Sequence, residues 1–182
     1  MNNDFGLSLF ELNLTNFATF SNQSIRFESG FNAIIGETGS GKSLILDALQ
    51  LILGHRADRK LIRRDCEHTV VEAVFKCECP NIKSYLDKLG FPFDGDEIII
   101  KRLIYKNGKT KSYLNLQMCS LATIVKFTSS FVDLVGQFEN QKLLSSKYQL
   151  QLLDNYIGHK DLLAQYQTKY QLLENTKKEL AE

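Results

Sequence analysis

Eight consecutive residues match the phosphate-loop pattern G-x-x-x-x-G-K-[ST] in full: Gly36, Glu37, Thr38, Gly39, Ser40, Gly41, Lys42 and Ser43. The glycines of such a loop let successive backbone N–H groups point inward at phosphate oxygens, and a helix that starts at the lysine adds its positive dipole end. In this pattern the Lys42 ammonium reaches the β- and γ-phosphates, and the Ser43 hydroxyl ligates Mg²⁺. All eight residues are therefore predicted to bind ATP, together with Mg²⁺.

The residues on either side of the loop predict the elements that position it. Residues 31–35 form a short apolar run that ends abruptly in glycine, as a buried strand does. From Lys42 to Leu53, apolar residues occupy a broad helical face, and Gly54 follows as a stop signal. The alternative, a glycine turn with an incidental lysine, leaves both the flanking run and the spacing unexplained.

The rest of the chain predicts an α/β fold. A hairpin is predicted around Asn107-Gly108, because Asn-Gly favours a type I′ turn. The other predicted strands cover residues 9–14, 24–27, 69–75 and 131–135, and a short helix covers 82–89.

Hydrolysis needs more than a phosphate loop, because a carboxylate must hold Mg²⁺ and another group must orient water. That carboxylate normally ends an apolar strand. The nearest matches, at 131–133 and 135–137, do not fit, and Leu152-Leu153-Asp154 lies in a helical tail. We therefore expect this chain to hold half of an ATPase site, with little or no hydrolysis by itself.

The segment from Ser145 onward predicts a long helix with an apolar seam. Leu163, Tyr166, Tyr170, Leu173 and Leu180 are spaced by alternating steps of three and four residues if Lys177 fills the remaining seam position. This spacing is typical of a coiled coil of about three heptads. An amphipathic helix that packs on its own domain is the alternative.

A basic stretch raises the possibility of nucleic-acid contact. Between Ile98 and Val132 there are no acidic residues, and the cations are Lys101, Arg102, Lys106, Lys109, Lys111 and Lys126, with Tyr105 and Tyr113 among them. Clustered Lys and Arg bind phosphate backbones. An edge hairpin that lysines protect from aggregation is the alternative.

Composition narrows the class and the compartment. The chain has 182 residues and a net charge of +1 from 22 basic and 21 acidic residues, which excludes a highly basic protein that coats nucleic acid. The sequence shows neither a signal-peptide pattern nor an apolar window long enough to span a membrane. Its four cysteines fit a reducing compartment, so a cytoplasmic protein without membrane contact is predicted.

The motifs, taken in order, resemble the N-terminal portion of the RecN family, bacterial SMC-like ABC ATPases that act in DNA repair. The resemblance rests on Asn16-Phe17-Ala18, the phosphate loop, Leu53-Gly54-His55-Arg56-Ala57-Asp58, Leu61-Ile62-Arg63, Asn107-Gly108-Lys109 and the run from Val135 to Leu144. It covers nearly the whole chain. The family pattern departs at Phe138-Glu139-Asn140, where histidines are usual around the glutamate.

The resemblance implies an organisation and a set of site residues. Residues 1–148 correspond to the N-terminal lobe of an ATPase head with a mixed sheet, and 149–182 to the beginning of a coiled-coil arm. Gln137 corresponds to the glutamine that contacts Mg²⁺ and the attacking water, and either Arg56 or Arg63 to the charge-stabilising arginine. Asn16 lies where the family approaches the adenine.

The resemblance also implies a function and partners. The expected function is the ATP-binding half of an ATPase in recombinational repair of DNA double-strand breaks, in the bacterial cytoplasm or nucleoid. A second lobe or head of the same type would engage it on ATP, and DNA would be bound by the full protein. Two alternatives are a stand-alone, non-hydrolysing module that dimerises through its C-terminal helix, and a small P-loop enzyme such as a nucleotide kinase. The missing carboxylate and the helical tail disfavour the kinase.

Overall fold

The computed structural model describes residues 7–77, 80–93, 95–129, 146–158 and 160–181. The chain divides into two compact units, Met1–Asp133 and Leu134–Glu182. In the first unit the elements are β1 (Leu7–Phe17), β2 (Phe20–Arg26), α1 (Lys42–Ile52), a 3-10 turn (Arg59–Leu61), β3 (His68–Cys77), α2 (Pro80–Lys88), β4 (Glu97–Tyr105), β5 (Thr110–Leu114), β6 (Gln117–Cys119) and α3 (Leu121–Thr128). The second unit contains α4 (Ser146–Ile157) and α5 (Lys160–Ala181).

The first unit is built on a six-stranded sheet in the order β2-β1-β3-β4-β5-β6. Each of its five described pairings is antiparallel. Burial alternates strictly along β3 and β4, so one face of each strand contributes to the core. Side chains from that face form one cluster with α1 and α3; it includes Leu12, Leu14, Val71, Ala73, Ile98, Ile100, Ala48, Leu51, Ile52, Ile124 and Phe127.

The predicted α/β class is confirmed, and most predicted elements are present with longer bounds. The strand predicted over 31–35 is wrong: that segment is irregular, and Phe31 and Ile35 are 95% and 92% exposed. A strand needs a neighbouring strand that bonds its backbone N–H and C=O groups. None of the six strands of the described sheet pairs with residues 31–35. The strand predicted over 131–135 lies outside the described residues.

The predicted hairpin is confirmed, but its turn type is wrong. Gly108 takes a left-handed φ of 84° whereas Asn107 does not, and the Gly108 N–H donates to the Tyr105 carbonyl at 2.9 Å. The two-residue turn with positive φ at both positions joins β5 to β6 instead, at Asn115 (48°) and Leu116 (66°).

The described residues of the second unit are helical, as predicted for the tail. α5 has 22 residues, and Tyr166 and Tyr170 stack with ring centroids 6.1 Å apart. Tyr166, Tyr170, Leu173 and Leu180 of the predicted seam are exposed. The predicted domain boundary between residues 148 and 149 stays a prediction. No helix in the described ranges is long and apolar enough to cross a membrane.

Candidate nucleotide-binding site

The phosphate loop leads directly into α1, and glycine geometry shapes the junction. Gly41 is the N-cap of α1 with φ 95°, and no side chain caps the helix there. A Cβ at Gly41 would lie 3.0 Å from Phe20 Cζ, and one at Gly36 would lie 2.6 Å from Ser40 Oγ. Position 41 therefore favours glycine, whereas at position 36 a side chain would require the Ser40 hydroxyl to move. An uncapped helix start leaves backbone N–H groups directed at the place where an anion binds.

The Lys42 ammonium lies inside the curl of the loop. Its Nζ donates to the Gly36 carbonyl, to the Glu37 carbonyl at 2.5 Å and to Ser40 Oγ at 3.4 Å. These acceptors belong to the loop itself, so the loop holds its own lysine beside the backbone that would surround a phosphate. Ser43, one residue further along α1, is exposed and can offer its hydroxyl to a metal ion.

A cavity of about 510 Å³ opens beside the loop. Its wall combines polar loop groups with apolar side chains of β2 and the segment after it, among them Phe20, Gln23, Ile25, Asn32, Gly36, Ser40 and Lys42. The volume and the mixed lining suit a nucleotide-sized ligand whose phosphates lie at Lys42.

The predicted residue Asn16 lies near the end of β1, beside the β1–β2 turn, where the segment Leu61–Arg63 holds the backbone in place. Asn16 and Ala18 have φ values of 51° and 48°. The Ala18 N–H donates to the Leu61 carbonyl at 2.7 Å, and the Arg63 N–H donates to the Asn16 carbonyl at 2.8 Å. Left-handed non-glycine residues persist where the surrounding structure fixes them, as it does here.

The two candidate arginines lie in different places. The Arg63 guanidinium donates to the Thr19 carbonyl, so this side chain braces the β1–β2 turn. Arg56 is exposed and lines a separate cavity of about 260 Å³, together with Asp47 and Asp58. The structure does not bring Arg56 and Arg63 together.

The predicted Mg²⁺ site is described only in part, because Gln137 lies outside the described residues. The Ser43 hydroxyl and the backbone of the loop fit a Mg²⁺ ion that is held largely by phosphate oxygens and water. Within the described ranges no group of three His, Cys, Asp or Glu residues could hold a metal ion.

Some cations of the basic hairpin are exposed to solvent, whereas others are paired with a carboxylate or buried. Lys101 pairs with Glu72 at 3.0 Å, and Arg102 is buried. Lys106, Lys109 and Lys111 are exposed on or beside the turn. β5 pairs with β6 through Ser112–Leu114, so the lysine-protected edge applies only to the Thr110–Lys111 end of the strand.

Two side chains that contact the ends of α1 were not identified from the sequence. Phe20 packs its ring on the N-cap of α1, although its sequence pattern indicates only a core aromatic. Arg102 belongs to the predicted phosphate-binding ribbon, yet its side chain reaches the other end of α1. Alternation with Ile100 and Ile104 places Arg102 on the buried face, which is a signal the sequence contains.

Comparison with known proteins gives a consistent result. Residues 8–132 match the family described as RecF/RecN/SMC N terminal domain. The DNA repair protein RecN of Vibrio cholerae is 34% identical over 163 residues, which cover 90% of this chain and 29% of that protein. RecN of Haemophilus influenzae is 33% identical over 92% of this chain and 30% of that protein. The chain thus spans about 30% of the length of these relatives.

Solved structures show the same fold. The Smc head domain with a coiled coil and joint from Pyrococcus yayanosii is 26% identical, with a TM-score of 0.68 over 96% of this chain and 37% of that chain. A chain from work on ATP-driven dimerization and DNA-stimulated activation of SMC ATPases is also 26% identical. Its TM-score is 0.59, and the match covers 81% of this chain and 98% of that chain.

Proposed function

The chain belongs to the RecF/RecN/SMC N-terminal domain family, and from this premise we propose that it binds Mg–ATP as part of an ATPase that repairs DNA double-strand breaks. The observation that carries the proposal is the Lys42 ammonium inside the glycine loop at the uncapped start of α1. Similarity to RecN over about nine tenths of the chain supports the repair role and a place in the bacterial cytoplasm.

The residues of the loop have distinct tasks in this proposal. Lys42 exchanges its bonds to the Gly36 and Glu37 carbonyls for phosphate oxygens, and the N–H groups at the start of α1 bind the same phosphates. Ser43 holds Mg²⁺, which neutralises phosphate charge when bound. Gln137 binds the metal and orients water. Arg56 is exposed, whereas the Arg63 guanidinium is bonded to the Thr19 carbonyl, so Arg56 is the arginine that stabilises developing charge.

Titration with Mg–ATP tests nucleotide binding. Because Lys42 would donate two charge-assisted hydrogen bonds to phosphate, we expect Lys42→Ala to weaken binding by roughly 100-fold. Lys88→Ala removes an exposed lysine from α2 and is the matched control, with unchanged affinity expected. Equal affinity of the wild type and Lys42→Ala would refute the proposal, provided that thermal unfolding shows Lys42→Ala to be folded.

Phosphate release, measured on the same samples, addresses hydrolysis. We propose that this chain turns over little ATP by itself, because no sequence segment supplies the carboxylate that hydrolysis needs. A second lobe or head of the same type completes the site in this proposal. Rapid turnover that depends on Lys42 would contradict the half-site and favour a complete small P-loop enzyme.

DNA is the second proposed partner, and we assign its backbone contact to the turn of the β4–β5 hairpin. The Arg59 side chain lies against this turn: a Cβ at Gly108 would be 3.9 Å from Arg59 Cζ. Arg59 thereby joins Lys106, Lys109 and Lys111 in one basic surface. This surface combines the hairpin with the arginine-rich loop, residues 56–64, which contains Arg56, Arg59, Arg63 and Arg64. Lys106 also pairs with Glu67 at 3.5 Å, an exposed pair that phosphate can displace.

The salt dependence of DNA affinity tests this surface. The slope of log K against log salt is negative, and each lost phosphate contact reduces its magnitude by about 0.9. Lys109→Gln with Lys111→Gln should therefore reduce the magnitude by about 2. Lys83→Gln with Lys88→Gln removes the same charge from α2 and should leave the slope unchanged. Equal slopes for the two double variants would exclude the hairpin as a DNA contact.

A second candidate function is a non-hydrolysing nucleotide-binding module that dimerises through its C-terminal helix. The exposed apolar residues of α5 favour it, because such residues are normally covered by a partner. The two candidates share nucleotide binding and differ in whether a second lobe restores hydrolysis.

A further inference from the structure

Arg102 is the largest fully buried side chain in the described part of the fold. It lies in the middle of β4, is 1% exposed, and shares a strand face with Ile100 and Ile104. Burial lowers the pKa of its guanidinium, and its Nε has no hydrogen-bond partner among the described residues. Removing a cation from water costs free energy, so specific contacts must compensate for this placement.

Those contacts are carbonyl groups at the C-terminal end of α1. Arg102 Nη1 donates to the Leu51 carbonyl at 2.9 Å and to the His55 carbonyl at 2.7 Å. The helix ends there in a Schellman motif, in which the Gly54 N–H bonds to the Leu51 carbonyl and the His55 N–H to the Gln50 carbonyl. A cation at this end complements the negative pole of the helix dipole.

The other end of the same helix holds the phosphate loop. α1 begins at Lys42 and has 11 residues, so its hydrogen-bonded backbone transmits a shift of the C-terminal end to the loop. The His55 carbonyl that Arg102 holds also directly precedes Arg56. One buried guanidinium thus fixes both the helix that presents Lys42 and Ser43 and the first residue of the arginine-rich loop.

We propose that Arg102 is a positioning residue for the nucleotide site, which it affects through α1 without touching the nucleotide. The proposal rests on the proposed binding of ATP at the phosphate loop. It assigns to Arg102 a task different from the phosphate contact that its place in the basic hairpin suggests. A cation at the α1 terminus, rather than one on the hairpin surface, sets the position of the loop.

The affinity for Mg–ATP and for Mg-tripolyphosphate tests this role in Arg102→Met and Arg102→Lys. We expect Arg102→Met to reduce the affinity for both ligands by the same factor, about tenfold or more, because small displacements of a binding group are costly. Arg102→Lys retains the charge but donates with a different geometry, so it should bind with intermediate affinity. Lys101→Met, on the opposite strand face, is the matched control and should retain the wild-type affinity.

Hydrogen exchange supplies a second readout, with faster exchange expected in the amides of residues 51–56 of Arg102→Met. A folded Arg102→Met with wild-type affinity overturns the inference, even if its unfolding midpoint falls, because that result shows a purely structural role. If Arg102→Met does not fold, wild-type affinity in Arg102→Lys overturns it. Failure of the wild type to bind, or binding that is independent of Lys42, is a failure of the proposed function instead.

Discussion

At the scale of single residues, Leu116 occupies a backbone conformation that suits glycine. Its φ is 66°, its neighbour Asn115 has φ 48°, and its side chain is 75% exposed. Asn115 is fixed there by hydrogen bonds to both the N–H and the carbonyl of Ile99. Left-handed backbone costs roughly 1 kcal/mol or more for a residue with a Cβ. We therefore expect Leu116→Gly to raise the free energy of unfolding by about 1 kcal/mol in urea denaturation.

Met118→Gly is the matched control for this prediction. Met118 is 70% exposed and lies two residues further along, in β6, where glycine weakens a strand. We expect Met118→Gly to lower the free energy of unfolding and Leu116→Asn to give a smaller gain than Leu116→Gly, since Asn tolerates left-handed backbone. A loss of stability in Leu116→Gly that equals the loss in Met118→Gly would show that the turn carries no strain.

The phosphate-loop motif could be identified from the sequence, whereas the contacts of individual side chains could not. The pattern from Gly36 to Ser43 needs only spacing, whereas the bonds of the Lys42 ammonium to the Gly36 and Glu37 carbonyls are seen only in the structure. Arg63 has the same charge and the same sequence neighbours whether it faces a phosphate or the Thr19 carbonyl. Its bond across the β1–β2 turn therefore could not be predicted from the sequence. The burial of Arg102 was accessible from strand alternation, but which carbonyls it binds was not.

At the scale of elements, α1 and α3 meet at Gly54. Its φ is 99°, and a Cβ there would lie 2.4 Å from Val125 Cγ2. Gly54→Ala therefore adds an overlap, which costs about 1–3 kcal/mol in packed sites, to the cost of left-handed backbone. We expect a total loss of about 3 kcal/mol in the free energy of unfolding, measured by urea denaturation.

Gly90 separates the two contributions. It has a similar φ of 83°, but a Cβ at this position would meet open space, so Gly90→Ala should cost only about 1 kcal/mol. Adding Val125→Ala to Gly54→Ala removes the overlapping methyl group and should recover the difference. If Gly54→Ala costs no more than Gly90→Ala, α1 and α3 do not pack closely at this point.

The longer strands of the described sheet were predictable, whereas the irregular segment 31–35, α3 and β6 were not. Residues 69–75 and 98–105 are rich in β-branched and aromatic residues, which favour strands, and the structure pairs β3 with β4 over nine positions. Residues 31–35 have the composition of a buried strand, but composition does not say where the neighbouring strand comes from. α3 and the short β6 were missed, because five of the eight residues of α3 are β-branched or aromatic and a three-residue strand carries too little periodicity to distinguish.

At the scale of the whole molecule, the two units follow from different patterns. The first unit combines strands with three short helices, and the described part of the second is a helical tail with heptad spacing. Family resemblance identified the chain's relatives, but spacing alone could not distinguish an arm that awaits a partner helix from a helix that packs on its own domain.

An exposed seam predicts association, because apolar residues spaced in heptads are stable when a second helix covers them. We expect the average mass of this chain in sedimentation equilibrium to rise with concentration, since Tyr166 and Tyr170 are 63% and 53% exposed. Tyr166→Glu with Tyr170→Glu places two charges in the seam and should keep the chain monomeric. Gln167→Glu with Gln171→Glu adds the same charge beside the seam and should leave association intact. Equal association of the two double variants would locate the contact elsewhere, and a wild type that stays monomeric throughout would show that the seam of α5 does not pair with itself.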